Sequence, residues 1–82
     1  GDLPKYRVTL SGNNDMSFVE ALRKSNLCKS KGEARRLIKG GGARINDQPY
    51  LDENYSINKK HFGSNGTIKI SSGKKKHAVL YI

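Results

Sequence analysis

Apolar and polar positions alternate through residues 5–10, where Tyr6, Val8 and Leu10 take turns with Lys5, Arg7 and Thr9. A period of two is that of a strand with one buried face, and Ser11-Gly12-Asn13-Asn14-Asp15 breaks it. The period then lengthens. Ser17 with Glu20 three residues on has the form of a capping box, and Phe18, Ala21 and Leu22 supply the buried stripe of a first helix. After the short connection Asn26-Leu27-Cys28-Lys29 the signal returns, with Ser30 and Glu33 capping a second helix expected to run to Lys39. Gly40-Gly41-Gly42 stops it, since glycine reaches the left-handed conformation of a C-cap and costs about 1 kcal/mol inside a helix. Two short helices so closely joined pack as an antiparallel or angled pair.

Downstream the pattern is extended again. Residues 43–46 read as a short strand, Asp47-Gln48-Pro49 as a turn, and residues 50–57 as a weaker extended stretch interrupted by Asp52 and Glu53. Residues 58–66 are polar and aperiodic and are read as a mobile loop. Thr67-Ile68-Lys69-Ile70-Ser71 and residues 77–82 make a predicted hairpin across Ser72-Gly73-Lys74-Lys75-Lys76. The sum is an α+β domain in which two N-terminal helices pack on a small, mostly antiparallel sheet of four or five strands. Residues 1–15 are read as a linker or N-terminal strand and residues 16–82 as the domain, with no internal repeat.

A chain of 82 residues suits one such domain, burying only about 60–65% of its unfolded-state surface. It opens on Gly1-Asp2-Leu3-Pro4 without an initiator Met and is read as a piece of a longer protein. Sixteen Lys and Arg against seven Asp and Glu give a net charge of +9, which repels basic partners and attracts polyanions. With no uninterrupted apolar run of ~18 residues and no signal-peptide pattern, the chain is expected to be soluble and to have no membrane partner. Cys28 is alone, which excludes an internal disulfide or a zinc site built on several thiolates and fits a reducing compartment. It is read as a small core residue. His61 and His77 lie in different segments without metal-ligand spacing, so no metal site is expected.

The charge is unevenly spread. Residues 23–44 hold Arg23, Lys24, Lys29, Lys31, Arg35, Arg36, Lys39 and Arg44 against the single acid Glu33, which is +7 of the net +9. On a helical wheel with Lys31 at zero, Arg35, Lys39 and Arg36 fall at about 40°, 80° and 140°, opposite Leu37, Ala34 and Ile38 at about 240°, 300° and 340°. A solvated face is the ordinary fate of a charge run. Against it, a helix that is merely soluble interleaves acids at i,i+4, and this face has none. Ser30 and Gly32 also keep the helix N-terminus free of bulk, so that its backbone N–H groups and positive dipole end are open to a phosphate. Arg35 and Arg36 suit bidentate phosphate contact, while Lys29, Lys31 and Lys39 act as point charges, with Arg44 following on the next strand. Lys74, Lys75 and Lys76 at the hairpin tip are further candidates, although exposed lysines also protect sheet edges. Tyr6, Phe18, Tyr50, Tyr55, Phe62 and Tyr81 are not interleaved with bases as in a stacking platform, and most are expected in the core.

The run Ser30-Lys31-Gly32-Glu33-Ala34-Arg35-Arg36-Leu37-Ile38-Lys39-Gly40-Gly41-Gly42-Ala43-Arg44-Ile45-Asn46-Asp47 resembles the S-four module, an RNA-binding αL domain named after a small-subunit ribosomal protein. That family reads Ser-Arg/Lys-x-x-Ala-Arg-x-Leu-Ile, then Gly-x-Val-x-Val-Asn-Gly. Here Ala43 and Ile45 replace the valines and Asp47 the last glycine. Through this run, Thr67-Ile68-Lys69-Ile70-Ser71 and Gly73-Lys74-Lys75-Lys76-His77, residues 17–82 are similar to the C-terminal domain of bacterial-type tyrosyl-tRNA synthetases, bacterial or organellar. The first dozen residues resemble that family's variable linker.

The resemblance implies an S-four-like αL fold that binds RNA, above all tyrosine tRNA between its long variable arm and anticodon stem. It implies a homodimeric parent, in the cytoplasm or an organelle matrix, that joins tyrosine to tRNA with ATP in a separate catalytic domain. This piece itself is expected to be monomeric, to hold no cofactor and to be no enzyme. It lacks His-x-Gly-His and Lys-Met-Ser-Lys-Ser signatures, and its triple glycine follows a helix where a P-loop precedes one. Two other readings stay open. One is a ribosomal-RNA-binding S-four module of a pseudouridine synthase or a ribosome-associated heat-shock protein. The other is an adaptor for acidic protein or lipid surfaces, for which the chain lacks an exposed Trp or Leu face.

Overall fold

A computed structural model describes residues 2–82. The N-terminal alternation produces β1 (Lys5–Arg7), with Tyr6 half-buried and Val8 buried while Lys5, Arg7 and Thr9 face solvent. After β2 (Asp15–Ser17) come the two helices, α1 (Phe18–Lys24) and α2 (Lys31–Lys39). β3 (Ala43–Ile45), β4 (Gln48–Pro49), β5 (Ser56–Asn58), a short 3-10 helix (Lys59–Phe62), β6 (Thr67–Ser72) and β7 (Lys76–Tyr81) complete the chain. Five strands form one sheet in the order β1-β7-β6-β3-β4, antiparallel except for the parallel β1–β7 pair. β2 and β5 pair antiparallel as a separate ribbon. The architecture is the expected α+β domain.

Both helices start where a serine can cap them. The Ser17 hydroxyl accepts from the Glu20 N–H at 2.9 Å and the Ser30 hydroxyl from the Glu33 N–H at 3.1 Å, each satisfying a donor that has no partner within its helix. The end of α2 is fixed by its glycines. Gly41 has φ +80, its N–H donates to the Ile38 carbonyl at 3.0 Å, and the Gly42 N–H reaches back to the Leu37 carbonyl at 3.0 Å. Those paired bonds define a Schellman motif, whose left-handed residue is most cheaply a glycine. They also turn the chain into β3.

The core lies between the helices and the inner face of the sheet. Phe18, Leu22, Ala34 and Ile38 from the helices meet Ile45, Ile68, Ile70 and Leu80 from the strands, all at most 1% exposed. By the alternation of a strand, Arg44, Lys69, Ser71 and His77 fall on the opposite, outer face.

Four local expectations are corrected. Residues 58–66 are not a structureless loop: they contain the 3-10 helix, whose Phe62 is 1% exposed and plugs the core. The turn after β3 is Asn46-Asp47, with φ of 49 and 70, so Gln48 and Pro49 are edge strand. Positive φ at both central residues is the two-residue hairpin geometry that matches strand twist, and Asn and Asp tolerate it. Residues 50–55 form no strand, and extension is confined to β5. Asp15, read as part of a break, begins β2.

Candidate nucleic-acid interface

The wheel drawn from sequence holds in three dimensions. Ala34 and Ile38 are buried and Leu37 half-buried, which turns Lys31, Arg35, Arg36 and Lys39 to solvent. Gly32 sits within this face, and a Cβ built on it would lie 3.6 Å from Arg36 Nη1. The guanidinium one turn on therefore rests over the glycine, close to the open first turn of the helix. Lys29 and Ser30 are exposed just ahead of that turn.

Tertiary structure brings one acid that the helix itself lacks. The Glu53 carboxylate, from the loop before β5, lies 3.1 Å from Lys39 Nζ. Among the described residues, Lys31, Arg35 and Arg36 have no such ion pair. The sequence expectation of an acid-free face thus holds for the first two turns and fails at the last. Three cations within two turns repel one another unless an anion is supplied.

The other candidates separate into two groups. The tip that carries Lys74 and Lys75 is tethered just past the C-terminal end of α2, because the Gly73 N–H donates to the Gly42 carbonyl at 2.8 Å. Lys76, the first residue of β7, is exposed and continues the same tip. Arg44 is different. It points to the outer face of the sheet, opposite Ala43 and Ile45, and its Nε is buried without a hydrogen-bond partner. The helix and Arg44 therefore do not form one surface.

Around Arg44 lies an arrangement that sequence reading missed. The Ser71 hydroxyl is 2.7 Å from His77 Nδ1, and His77 Nε2 is 2.9 Å from the Lys74 carbonyl oxygen. A carbonyl only accepts, so Nε2 carries the proton and Nδ1 accepts from Ser71. A serine bonded to a histidine invites a nucleophile reading. Ser71 is 0% exposed, however, so no substrate reaches its oxygen. The pair braces the lysine-bearing tip.

Two further clusters hold the surface in place. Asn46 ties the β3–β4 turn to both neighbours: its Oδ1 accepts from the Lys69 N–H at 2.9 Å and its Nδ2 donates to the His61 carbonyl at 3.1 Å. Beside it Lys69 Nζ, 2.8 Å from Asp47, holds that carboxyl below its ordinary range. Tyr50 and Tyr55 stack with ring centroids 4.4 Å apart, and the Tyr55 hydroxyl lies 2.8 Å from His61 Nε2. Burial, and then Tyr50, push the Tyr55 phenol's pKa up. These tyrosines fasten the loop that delivers Glu53. Cys28 is 4% exposed, with its pKa raised first by burial and then by the Glu33 carboxylate, as befits a packing residue.

Among the described residues, no group of His, Cys, Asp and Glu converges on a metal-sized site, and no helix is long and apolar enough to cross a membrane. The tyrosine–tRNA ligase SYY-like C-terminal domain family matches residues 1–80. Among curated proteins, the tyrosine–tRNA ligase of Wolbachia sp. subsp. Brugia malayi is 43% identical over 81 residues, 98% of this chain and 20% of its own length. Those of Rhodopseudomonas palustris and Bradyrhizobium diazoefficiens are 42% and 45% identical over 96% and 84% of this chain, and 19% and 17% of their own lengths. The chain spans about a fifth of the relatives it matches. It belongs to the tyrosine–tRNA ligase SYY-like C-terminal domain family.

Proposed function

We propose that this domain holds tRNA for a tyrosine–tRNA ligase, laying the RNA backbone along Lys29, Lys31, Arg35 and Arg36 at the N-terminal half of α2. The observation that carries the reading is the set of three helix cations left without an acid partner when the fold supplies one to Lys39. Phosphates satisfy them at little conformational cost, since the helix is already capped and packed. Arg35 and Arg36 offer paired donors, Lys29 and Lys31 point charges, and the open turn at Ser30 and Gly32 adds backbone N–H groups. Lys74, Lys75 and Lys76 on the tip past the end of the helix, together with the partly held Lys39, draw the polyanion in from a distance. Arg44, on the other face, adds to the field more than to the contact.

A convex helix face carrying phosphate-binding groups reads shape, which suits duplex RNA, whose deep narrow groove side chains do not enter. Tyrosine tRNA, gripped between its long variable arm and anticodon stem, is the partner that family membership supports. The ATP-dependent joining of tyrosine then belongs to the catalytic part of a homodimeric, cytoplasmic parent.

Salt dependence tests the mechanism. With about four to six phosphate contacts, log affinity falls against log salt with a slope of roughly −3 to −5. Arg35→Glu with Arg36→Glu weakens binding at least tenfold and flattens the slope by about two, while the far-ultraviolet spectrum stays native. A folded double variant within twofold of the original affinity contradicts the assignment. Titrating tyrosine tRNA beside a ribosomal RNA stem-loop separates the tRNA reading from an rRNA one.

A further inference from the structure

The basic face of α2 does not end on open solvent. Along one side it forms the wall of a groove of about 220 Å³, with Lys31 and Arg35 on that wall and Val19 and Glu20 of α1 facing them. Glu53 and Asn54 close its end. Val19 is 8% exposed and gives the groove a small apolar patch. Glu20 shares the groove with two cations yet forms an ion pair with neither, so its carboxylate is left without a charged partner among the described residues. The Asn54 side-chain amide makes no hydrogen bond among the described residues.

This distribution of charge is odd for a pure phosphate surface. A carboxylate beside the backbone path repels phosphate, and an ionised carboxylate only accepts hydrogen bonds. A ligand that suits both walls is anionic on one side and rich in donors on the other, with a flat apolar body between. A nucleotide has that build, and unpaired bases are the part of RNA that proteins read on their hydrogen-bonding edges. Among the bases, guanine presents two adjacent donors, N1–H and N2–H, to one carboxylate, and an acceptor at O6 that an amide N–H can meet.

We infer that the groove between α1, α2 and the 53–54 loop is a recognition site for a single unpaired guanine, whose phosphate is held by Lys31 and Arg35 while Glu20 and Asn54 read its edge. The inference rests on the backbone contact proposed for α2 and adds a base-specific element to it. The domain in this form distinguishes RNAs of equal charge.

The test uses the 82-residue chain and four short RNA stems: one unbulged, and three carrying a single bulged guanosine, inosine or adenosine. The guanosine bulge binds about tenfold tighter than the unbulged stem, as one bidentate base contact allows. Inosine lacks the N2 amino group and loses most of that gain, and adenosine loses all of it. Glu20→Gln with Asn54→Ala erases the guanosine preference, leaving the unbulged stem bound as tightly or more tightly, since a carboxylate has been neutralised, with the same salt slope. If bulge identity shifts affinity by less than twofold while the unbulged stem binds with the steep salt slope, the groove reads no base and this inference falls alone. If no stem binds, the backbone contact falls with it. A guanosine preference that survives in the Glu20→Gln, Asn54→Ala variant locates the readout elsewhere and overturns the assignment.

Discussion

Single side chains here are set by what faces them across the fold, and their chemistry follows. Cys28 sits with a cation and a carboxylate at hand, yet burial dominates and keeps the thiol protonated. Its folded pKa stands above the ordinary 9.0, so its contribution to stability is intact below that value and declines as pH rises through it, where the unfolded chain releases its proton first. Two outcomes follow. A thiol reagent modifies native Cys28 at pH 8 at least an order of magnitude more slowly than it does the urea-unfolded chain, because the attacking species is the exposed thiolate. Cys28→Ala, compared with the parent chain by urea unfolding, loses less stability between pH 8 and pH 10. Fast labelling of the native chain contradicts this placement. At the same scale, exposure of the cations on α2 was legible because Ala34, Leu37 and Ile38 fall together on the wheel. The Glu53–Lys39 pair was not, since β3, β4 and their turns separate the partners and no local pattern joins them.

At the scale of elements, a glycine inside α2 and one just past its end make opposite demands. Gly32 has ordinary helical φ and room for a methyl group at van der Waals distance from Arg36, whereas Gly41 has φ +80 in the motif that closes the helix. Gly32→Ala is therefore expected to stabilise the domain by about 0.5–1 kcal/mol, the helix-propensity difference. Gly41→Ala is expected to destabilise it by about 1 kcal/mol or more, as a Cβ meets the left-handed region. Urea midpoints of the two variants check both signs, and a stabilising Gly41→Ala contradicts the cap. Helix starts and the β6–β7 hairpin could be read from the chain because caps and alternation are local signals. The β2–β5 ribbon could not: each strand has three residues, too few for a period to show. The 3-10 helix that carries Phe62 was hidden for a related reason. A four-residue 3-10 helix has no repeat, and its capping box of Asn58 and His61 uses an Asn and a His in place of the Ser/Glu pair that marks α-helices. The one available signal was a lone aromatic within a polar run, which is costly to leave in water.

For the whole molecule, the fold divides its labour by face. The core side of the sheet carries the helices, and α2 turns its cations away from that core over a frame stapled by the Schellman motif, Asn46 and the Tyr50–Tyr55 stack. Net charge of +9 on 82 residues implies attraction for any polyanion, so affinity alone does not locate the contact. A second cationic region exists on the outer sheet face, where Lys5, Arg7 and Arg44 stand, and it is the natural competitor. Amide-resolved NMR during titration with tyrosine tRNA at near-physiological salt decides between them. The largest shifts are expected on residues 29–36 and on the 73–76 tip, with β1 and the middle of β7 unmoved. Shifts concentrated on β1, Arg44 and β7, with α2 silent, contradict it.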